Sequence, residues 1–234
     1  MVQDPTDQHI KAILSAYDLF GKEVLEIGCG EGRITRDLAK HAARVVATDP
    51  DPEVVTAAVA NVSAENVEFL SPADGIPDVT HKSFDLAIYT LSLHHVPMQA
   101  MQTSLQRVTQ LLNDTGVIIV IEPGDGGSFN EARERFSVDS NDEQQAKAAA
   151  IYAMQNLDGW TMSETIYFQT AFLFDDEDDF VTNKRPDFHL LSKPMQREIG
   201  DFLQRYKTTD GILLRNKRRM NLLQKTTGHG IDQN

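Results

Sequence analysis

The sequence predicts an α/β fold built on a doubly wound, mostly parallel sheet. Three observations carry this expectation. Short apolar, β-branched runs alternate with segments of helical periodicity from Val24 to Ile121. The first run breaks into a loop with glycine at every second position, Gly28, Gly30 and Gly32, and a helix-like segment follows at once. The chain has 234 residues, enough for one such domain with inserted material and a proper core.

Each element has its own signal. Ile10, Ile13, Leu14 and Tyr17 recur at helical spacing, and Gly21 ends that helix. Val24–Ile27 reads as a first strand, and Ile34–Lys40 as the helix after the glycines. Arg44–Thr48 is a short β-branched strand that Asp49-Pro50-Asp51-Pro52 stops, before a helix over Glu53–Asn61. Val67–Leu70 is a third strand, and Ser71–Pro77 a loop with two prolines. Phe84–Thr90 is largely apolar and so reads as a strand buried on both faces. Met98–Leu112 is helical in period and ends in the turn Asn113-Asp114-Thr115-Gly116, and Val117–Ile121 is a fifth strand. The pattern then changes. Residues 123–128 read as flexible, Asn141–Leu157 as a helix, Glu164–Phe174 as a long strand, Lys193–Tyr206 as a helix and Gly211–Leu223 as a final strand. The chain is expected to be one domain, with 1–122 a cofactor-binding half, 123–160 a lid insertion over the carboxyl ends of the strands, and 161–234 completing the sheet.

Composition narrows the class. Hydrophobic residues at 41% and charged residues at 24% are ordinary for a globular protein. No run is apolar enough to span a membrane, and the first ten residues lack a signal-peptide core, so a cytoplasmic protein without membrane association, monomer or homodimer, is expected. One cysteine excludes an internal disulfide and a multi-cysteine metal site. A net charge of -13 repels phosphate backbones, which makes nucleic acid an unlikely partner. The one basic cluster, Arg215, Lys217, Arg218 and Arg219, reads most simply as an exposed face of the last strand.

The glycine loop carries the chemistry. Glycines let backbone approach a ligand closely, and the helix start behind them offers free N–H groups. The nicotinamide fingerprint G-x-G-x-x-G is not met, because Arg33 stands where its third glycine would be. Glu26, inside the strand before the loop, would repel a pyrophosphate and attract an ammonium group. Asp49, at the end of the second strand, lies close to the spacing of about twenty residues at which an acid meets a ribose. It is also simple turn chemistry, an Asp before a Pro.

This pattern resembles motif I of the class I S-adenosylmethionine-dependent methyltransferases. The resemblance covers Tyr17–Ile121 and continues in Phe84-Asp85 followed by Leu93-x-His95, similar to the UbiE-like, small-molecule branch. It implies a seven-stranded Rossmann-like methyltransferase sheet with an antiparallel last strand, and S-adenosyl-L-methionine as cofactor. It also implies a role for each matching residue. Glu26 would reach the methionine ammonium, or else cap its own loop. Gly28, Cys29, Gly30 and Gly32 form the loop, with Cys29 a position where a small side chain suffices. Asp49 would hold the ribose, and Pro50 lie on the adenine face. Ala73 and Asp74 follow the third strand where the family has an acid and a small residue. Pro72 replaces the acid, so either Asp74 or a backbone carbonyl takes the adenine amino group. The backbone of Tyr89 and Thr90 would meet the methionine end. The [D/N]-P-P-[Y/F] motif of amino-directed nucleic-acid methylases is absent.

The expected reaction is in-line methyl transfer to a small-molecule acceptor. A tRNA or protein methylase and a non-catalytic cofactor-binding protein are the alternatives. Such a displacement rests on alignment, and needs a general base only for a protonated nucleophile. His95 and His94 are the candidates for that base, with a structural role as the alternative. No third ligand at metal spacing accompanies them, so no metal is expected. The acidic run Asp175–Asp179 reads as a solvated helix start. Trp160, Tyr167, Phe168 and Phe172 could line an acceptor pocket, or simply be core.

Overall fold

The computed structural model describes residues 1–78, 83–138 and 143–226. In chain order it begins with β1 (Val2–Gln3), α1 (Gln8–Ala16), β2 (Glu23–Ile27), α2 (Arg33–Leu38), β3 (Arg44–Thr48), α3 (Pro52–Asn61), β4 (Val67–Leu70) and β5 (Phe84–Thr90). A 3-10 turn over Leu93–His95 and another over Met98–Ala100 lead to α4 (Met101–Leu111) and β6 (Leu112–Pro123). Then come α5 (Ser128–Phe136), α6 (Gln144–Gln155), β7 (Trp160–Met162), β8 (Ile166–Phe174), α7 (Glu177–Lys184), α8 (Lys193–Gln204), β9 (Lys207–Thr208) and β10 (Gly211–Lys225). Asn141 and Asp142, expected at the head of α6, lie outside the described residues.

The chain forms two compact units interleaved along the sequence. The larger holds Ile13–Glu122, Glu143–Ile166 and the chain from Met220; the smaller holds Met1–Ala12, Pro123–Asp142 and Tyr167–Arg219. The segment read as one lid therefore divides, with α5 in the smaller unit and α6 in the larger.

In the larger unit the strands run in the order β6-β5-β2-β3-β4, every neighbouring pair parallel. Parallel strands need a crossover between them, and α2, α3 and α4 supply it. Asp51 caps α3 by accepting the Glu53 N–H, with Pro52 in the first turn, where its missing N–H costs nothing. Leu25, Ile27, Ala87, Tyr89, Ile118 and Val120 build the core with Met101, Leu105 and Val108 of α4. Ala150, Ala153 and Met154 of α6 and Leu223 of β10 complete it.

In the smaller unit β1 pairs antiparallel with β8, and β9 with the start of β10. Phe129, Ala132 and Phe136 of α5 pack with Phe172, Phe174, Phe180 and Phe202. The apolar positions of α5 are sparse among charged ones, so periodicity alone did not reveal this helix.

The sheet has the seven expected strands (β2, β3, β4, β5, β6, β8 and β10) plus the two- and three-residue strands β1, β7 and β9. The last strand is antiparallel to β7 and β9. One expectation needs correction. Asn113–Gly116 does not end the element but lies inside β6, where Phe84 pairs with Leu112 and the register shifts before Leu86 pairs with Val117. Turn chemistry survives as a bulge, with Asn113 Oδ1 accepting the Thr115 N–H at 3.1 Å.

Candidate functional site

The site forms where the strand order reverses. β3 and β4 lie on one side of β2, β5 and β6 on the other, and in open sheets of this kind ligands bind at the carboxyl ends of the strands at that switch point. Parallel register brings Ile27, Thr48 and Tyr89 level at that edge.

The glycine loop is shaped by close approaches. The N–H groups of Gly28 and Cys29 both donate to Thr48 O, at 2.8 and 2.9 Å. Gly28 has φ +75°, and a Cβ there would stand 2.4 Å from Ser92 Cβ, so only glycine lets this loop pass the one after β5. The Ser92 hydroxyl latches the two by donating to Ile27 O at 2.5 Å. Gly30 has φ +54° and open space where a Cβ would sit, and its N–H donates to Asp49 Oδ2 at 3.0 Å. Gly32 starts α2 and lies against Val62 and Ala58, which supplies the close helix packing that Arg33 could not.

Glu26 is buried beneath this loop, and the Thr35 hydroxyl of α2 donates to its Oε2 at 2.6 Å. Burial pushes its carboxyl up to about 7, against the smaller opposing pulls of Thr35 and the Arg33 charge. Its described donor thus comes from the following helix rather than from the glycine loop, whose capping was the alternative to a ligand role. Burial, then the charges of Glu26 and Asp49, push the Cys29 thiol up, which leaves it inert as a nucleophile. Asp49 meets the turn expectation: one oxygen accepts the Gly30 N–H at 3.0 Å, the other the Asp51 N–H at 3.1 Å.

The loop after β4 folds against the end of β3. The Thr48 hydroxyl donates to Gly75 O at 2.6 Å, and exposed Pro50 stands 3.7 Å from where a Gly75 Cβ would be. Ala73 and Asp74 are exposed. The Asp74 carboxylate forms an ion pair with Arg107 and accepts the Ile76 N–H at 3.2 Å, so a ligand using it would compete with Arg107.

At the end of β5, Tyr89 turns its side chain into the core, where its hydroxyl meets Ser104 Oγ at 2.8 Å, leaving only its backbone for a ligand. Thr90 is 9% exposed, and its hydroxyl is buried without a hydrogen-bond partner. Such a group costs about 1–3 kcal/mol unless something completes it. Leu91, next along, holds φ +58°, a strained value for a side chain of its size. Asp85 serves the opposite end of the strand, accepting the Glu23 N–H at 2.9 Å and the Asn113 amide at 2.8 Å, a structural role.

His94 and His95 differ in setting. His94 is buried, its Nδ1 2.5 Å from Oε2 of buried Glu122, whose other oxygen accepts the His94 N–H at 3.3 Å. His95 is exposed, its ring 4.1 Å from that of His94. Partial burial and the neighbouring His94 hold its pKa below the usual imidazole value, and the Asp49 charge reaches it as well. The histidine turn therefore lies at the same end of the sheet as the glycine loop. A neutral imidazole there can accept a proton, and Glu122 orients the buried ring.

The aromatic residues do not converge. Trp160 packs on the core of the larger unit. Phe172 belongs to the core of the smaller unit, Phe168 meets the His9 ring edge-on, and Tyr167 lies exposed under Lys217. The basic cluster is corrected too. Arg218 is buried and donates to Thr170, and only Arg215 is fully exposed, because the side chains of a strand alternate. Sequence reasoning missed Thr35, Glu122 and Glu143. Glu122 carried the same signal as Glu26, an acid at the end of an apolar strand just before a glycine.

Comparison with known proteins agrees with this geometry. Residues 24–116 match the methyltransferase-domain family. An uncharacterized methyltransferase of Mycobacterium tuberculosis is 27% identical over 114 residues, which is 48% of this chain and 57% of that protein. The ubiquinone biosynthesis O-methyltransferase of Aliivibrio fischeri is 33% identical over 86 residues, 36% of this chain and 37% of that protein. The chain thus spans roughly half the length of the first of these relatives and less of the second. Among solved structures, the N-methyltransferase NodS of Bradyrhizobium japonicum, crystallised with S-adenosyl-L-homocysteine, superposes with a TM-score of 0.52 at 13% identity. That alignment covers 96% of this chain and 89% of NodS, and it shows a shared fold. No helix among the described residues is long and apolar enough to cross a membrane. Residues 24–116 thus match the methyltransferase-domain family, and the chain shares the fold of a solved methyltransferase, with the glycine loop at the sheet's switch point.

Proposed function

We propose that this protein transfers a methyl group from S-adenosyl-L-methionine to a small-molecule acceptor. The observation that carries the cofactor reading is the set of groups around the glycine loop: open space above Gly30, Asp49 beside it, Glu26 below, and the unpartnered Thr90 hydroxyl opposite. An ammonium suits Glu26, a ribose diol suits Asp49, and a polar ligand atom would complete Thr90. Two carboxylates there would repel a phosphate. S-adenosyl-L-methionine, when bound, supplies an electrophilic methyl group that an acceptor heteroatom takes in line, leaving S-adenosyl-L-homocysteine. The chain's own residues align the partners, and exclusion of water and orientation supply most of the rate. Where the acceptor carries a proton, His95 is the exposed base at this edge, with His94 and Glu122 behind it.

A small acceptor is favoured by the charge of -13, by the dispersed basic cluster, and by the Aliivibrio fischeri relative, whose name places its O-methylation in ubiquinone biosynthesis. Thermal unfolding with S-adenosyl-L-homocysteine, and with NADH in parallel, tests the cofactor. A ligand at a hundred times its Kd adds about 2.7 kcal/mol, roughly 5–11 °C for a chain of this size. A shift with the first compound alone is expected. A shift with NADH alone, or with neither, would overturn the reading.

A further inference from the structure

The turn after β5 and the start of α6 bring together a donor set that can take His94 and His95 as ligands in place of the base role given above. One ring nitrogen of His94, one of His95 and one carboxylate oxygen of Glu143 lie within 4.8 Å of one another. All three belong to the larger unit, where α6 packs against the Leu93–His95 turn. We infer that His94, His95 and Glu143 form a binding site for one divalent transition-metal ion, with Glu122 orienting His94.

Four features of the chemistry support this. Two imidazoles and one carboxylate form a mixed nitrogen and oxygen set, suited to zinc, cobalt or iron rather than to magnesium or calcium, which prefer oxygen alone. His94 holds Nδ1 against Glu122 at 2.5 Å, which leaves Nε2 to coordinate. A carboxylate behind a ligating imidazole is the usual outer support of such sites, fixing the tautomer and raising its basicity. Glu122 and Glu143 give the locality two negative charges, and Glu143 pairs with Lys147, 3.4 Å away and one helical turn on. The ligands also grade outward, from buried His94 through half-buried Glu143 to exposed His95, so an ion has a path in and at least one coordination position open to water. An ion there would pin Glu143, the residue that caps the start of α6, to the turn that follows β5. Sequence spacing hides this site, because Glu143 follows the histidines only after two helices and a strand.

The inference stands apart from the cofactor reading and is tested without it. Untagged full-length protein, stripped with a chelator and dialysed, is titrated with Co²⁺ followed by visible absorption, and with Zn²⁺ by calorimetry. One ion per chain is expected, with the absorption of a low-coordinate nitrogen and oxygen site. His95→Ala and Glu143→Gln, both at accessible positions, should each weaken binding by at least about tenfold with the circular dichroism unchanged. Glu122→Gln should weaken it by about 10–100-fold through His94. Absence of binding, or binding that neither His95→Ala nor Glu143→Gln alters, would overturn the site. S-adenosyl-L-homocysteine binding in the same samples reports on the cofactor separately.

Discussion

Glu26 is held in a setting that favours its proton, with a folded pKa of about 7 against an ordinary value of 4.5. Between those values the folded chain keeps a proton that the unfolded chain has released. This stabilisation is present in full below 4.5 and lost as pH rises through about 7, and for this one group it is on the order of 3 kcal/mol. Urea unfolding of the ligand-free protein should therefore show a fall in stability from pH 5 to pH 8 that Glu26→Gln flattens. The ionised carboxylate is the form that attracts an ammonium, so affinity for S-adenosyl-L-homocysteine should rise over the same range. Thr90 offers an independent check. Thr90→Val removes a buried hydroxyl without a partner, and should leave the free protein as stable or up to about 1 kcal/mol more so, while weakening cofactor binding. Loss of stability with unchanged affinity would mean that the hydroxyl serves the fold. Asp49→Ala removes an acceptor of two backbone N–H groups at a half-exposed position, so the fold should survive. Calorimetry should show affinity for S-adenosyl-L-homocysteine falling by about a hundredfold, the worth of two charge-assisted hydrogen bonds to the ribose. Unchanged affinity would sink the ribose assignment.

At the scale of elements, the loop between β2 and α2 shows why its first glycine is required. Gly28→Ala would combine a φ of +75° with a Cβ 2.4 Å from that of Ser92. The backbone term alone costs about 1–2 kcal/mol, and relief of the clash must move the Ser92 latch on Ile27. The expected result is a lower midpoint in urea and a weaker cofactor site; a neutral substitution would mean that the turn after β5 yields freely. The strands from β2 to β5 were legible because buried parallel strands write themselves as short apolar runs, and Arg44–Thr48, Val67–Leu70 and Phe84–Thr90 have the expected bounds. α5 was not legible, since three apolar residues among charges do not declare a helix until Phe172 and Phe202 are there to receive them. The two-residue strands β1 and β9 carry no local signal, because pairing partners far along the chain create them.

At the scale of the molecule, the two units take turns along the chain, so neither is a continuous piece. The core beside β2 and β5 needs Ala150, Ala153, Met154 and Leu157 from α6 and the end of that segment, and Leu223 from β10. A fragment of residues 1–122, although it holds every expected cofactor-binding residue, lacks all five. It should show no cooperative unfolding and no stabilisation by S-adenosyl-L-homocysteine. A fragment that melts cooperatively would mean that α6 is dispensable to the core.

The sequence by itself determined the mostly parallel sheet, the alternation of strand and helix, the glycine loop and the acids on either side of it. Each of those is written in local pattern: the period of apolar residues, glycine where backbone must turn left-handed, an acid where a strand ends. Tertiary structure alone decided what those acids meet. It placed Thr35 on Glu26, turned Asp74 toward Arg107, put Glu122 behind His94 and carried Glu143 to the histidine pair. Such pairings depend on which strand ends lie level and which helix packs above them, and no window of sequence contains both partners.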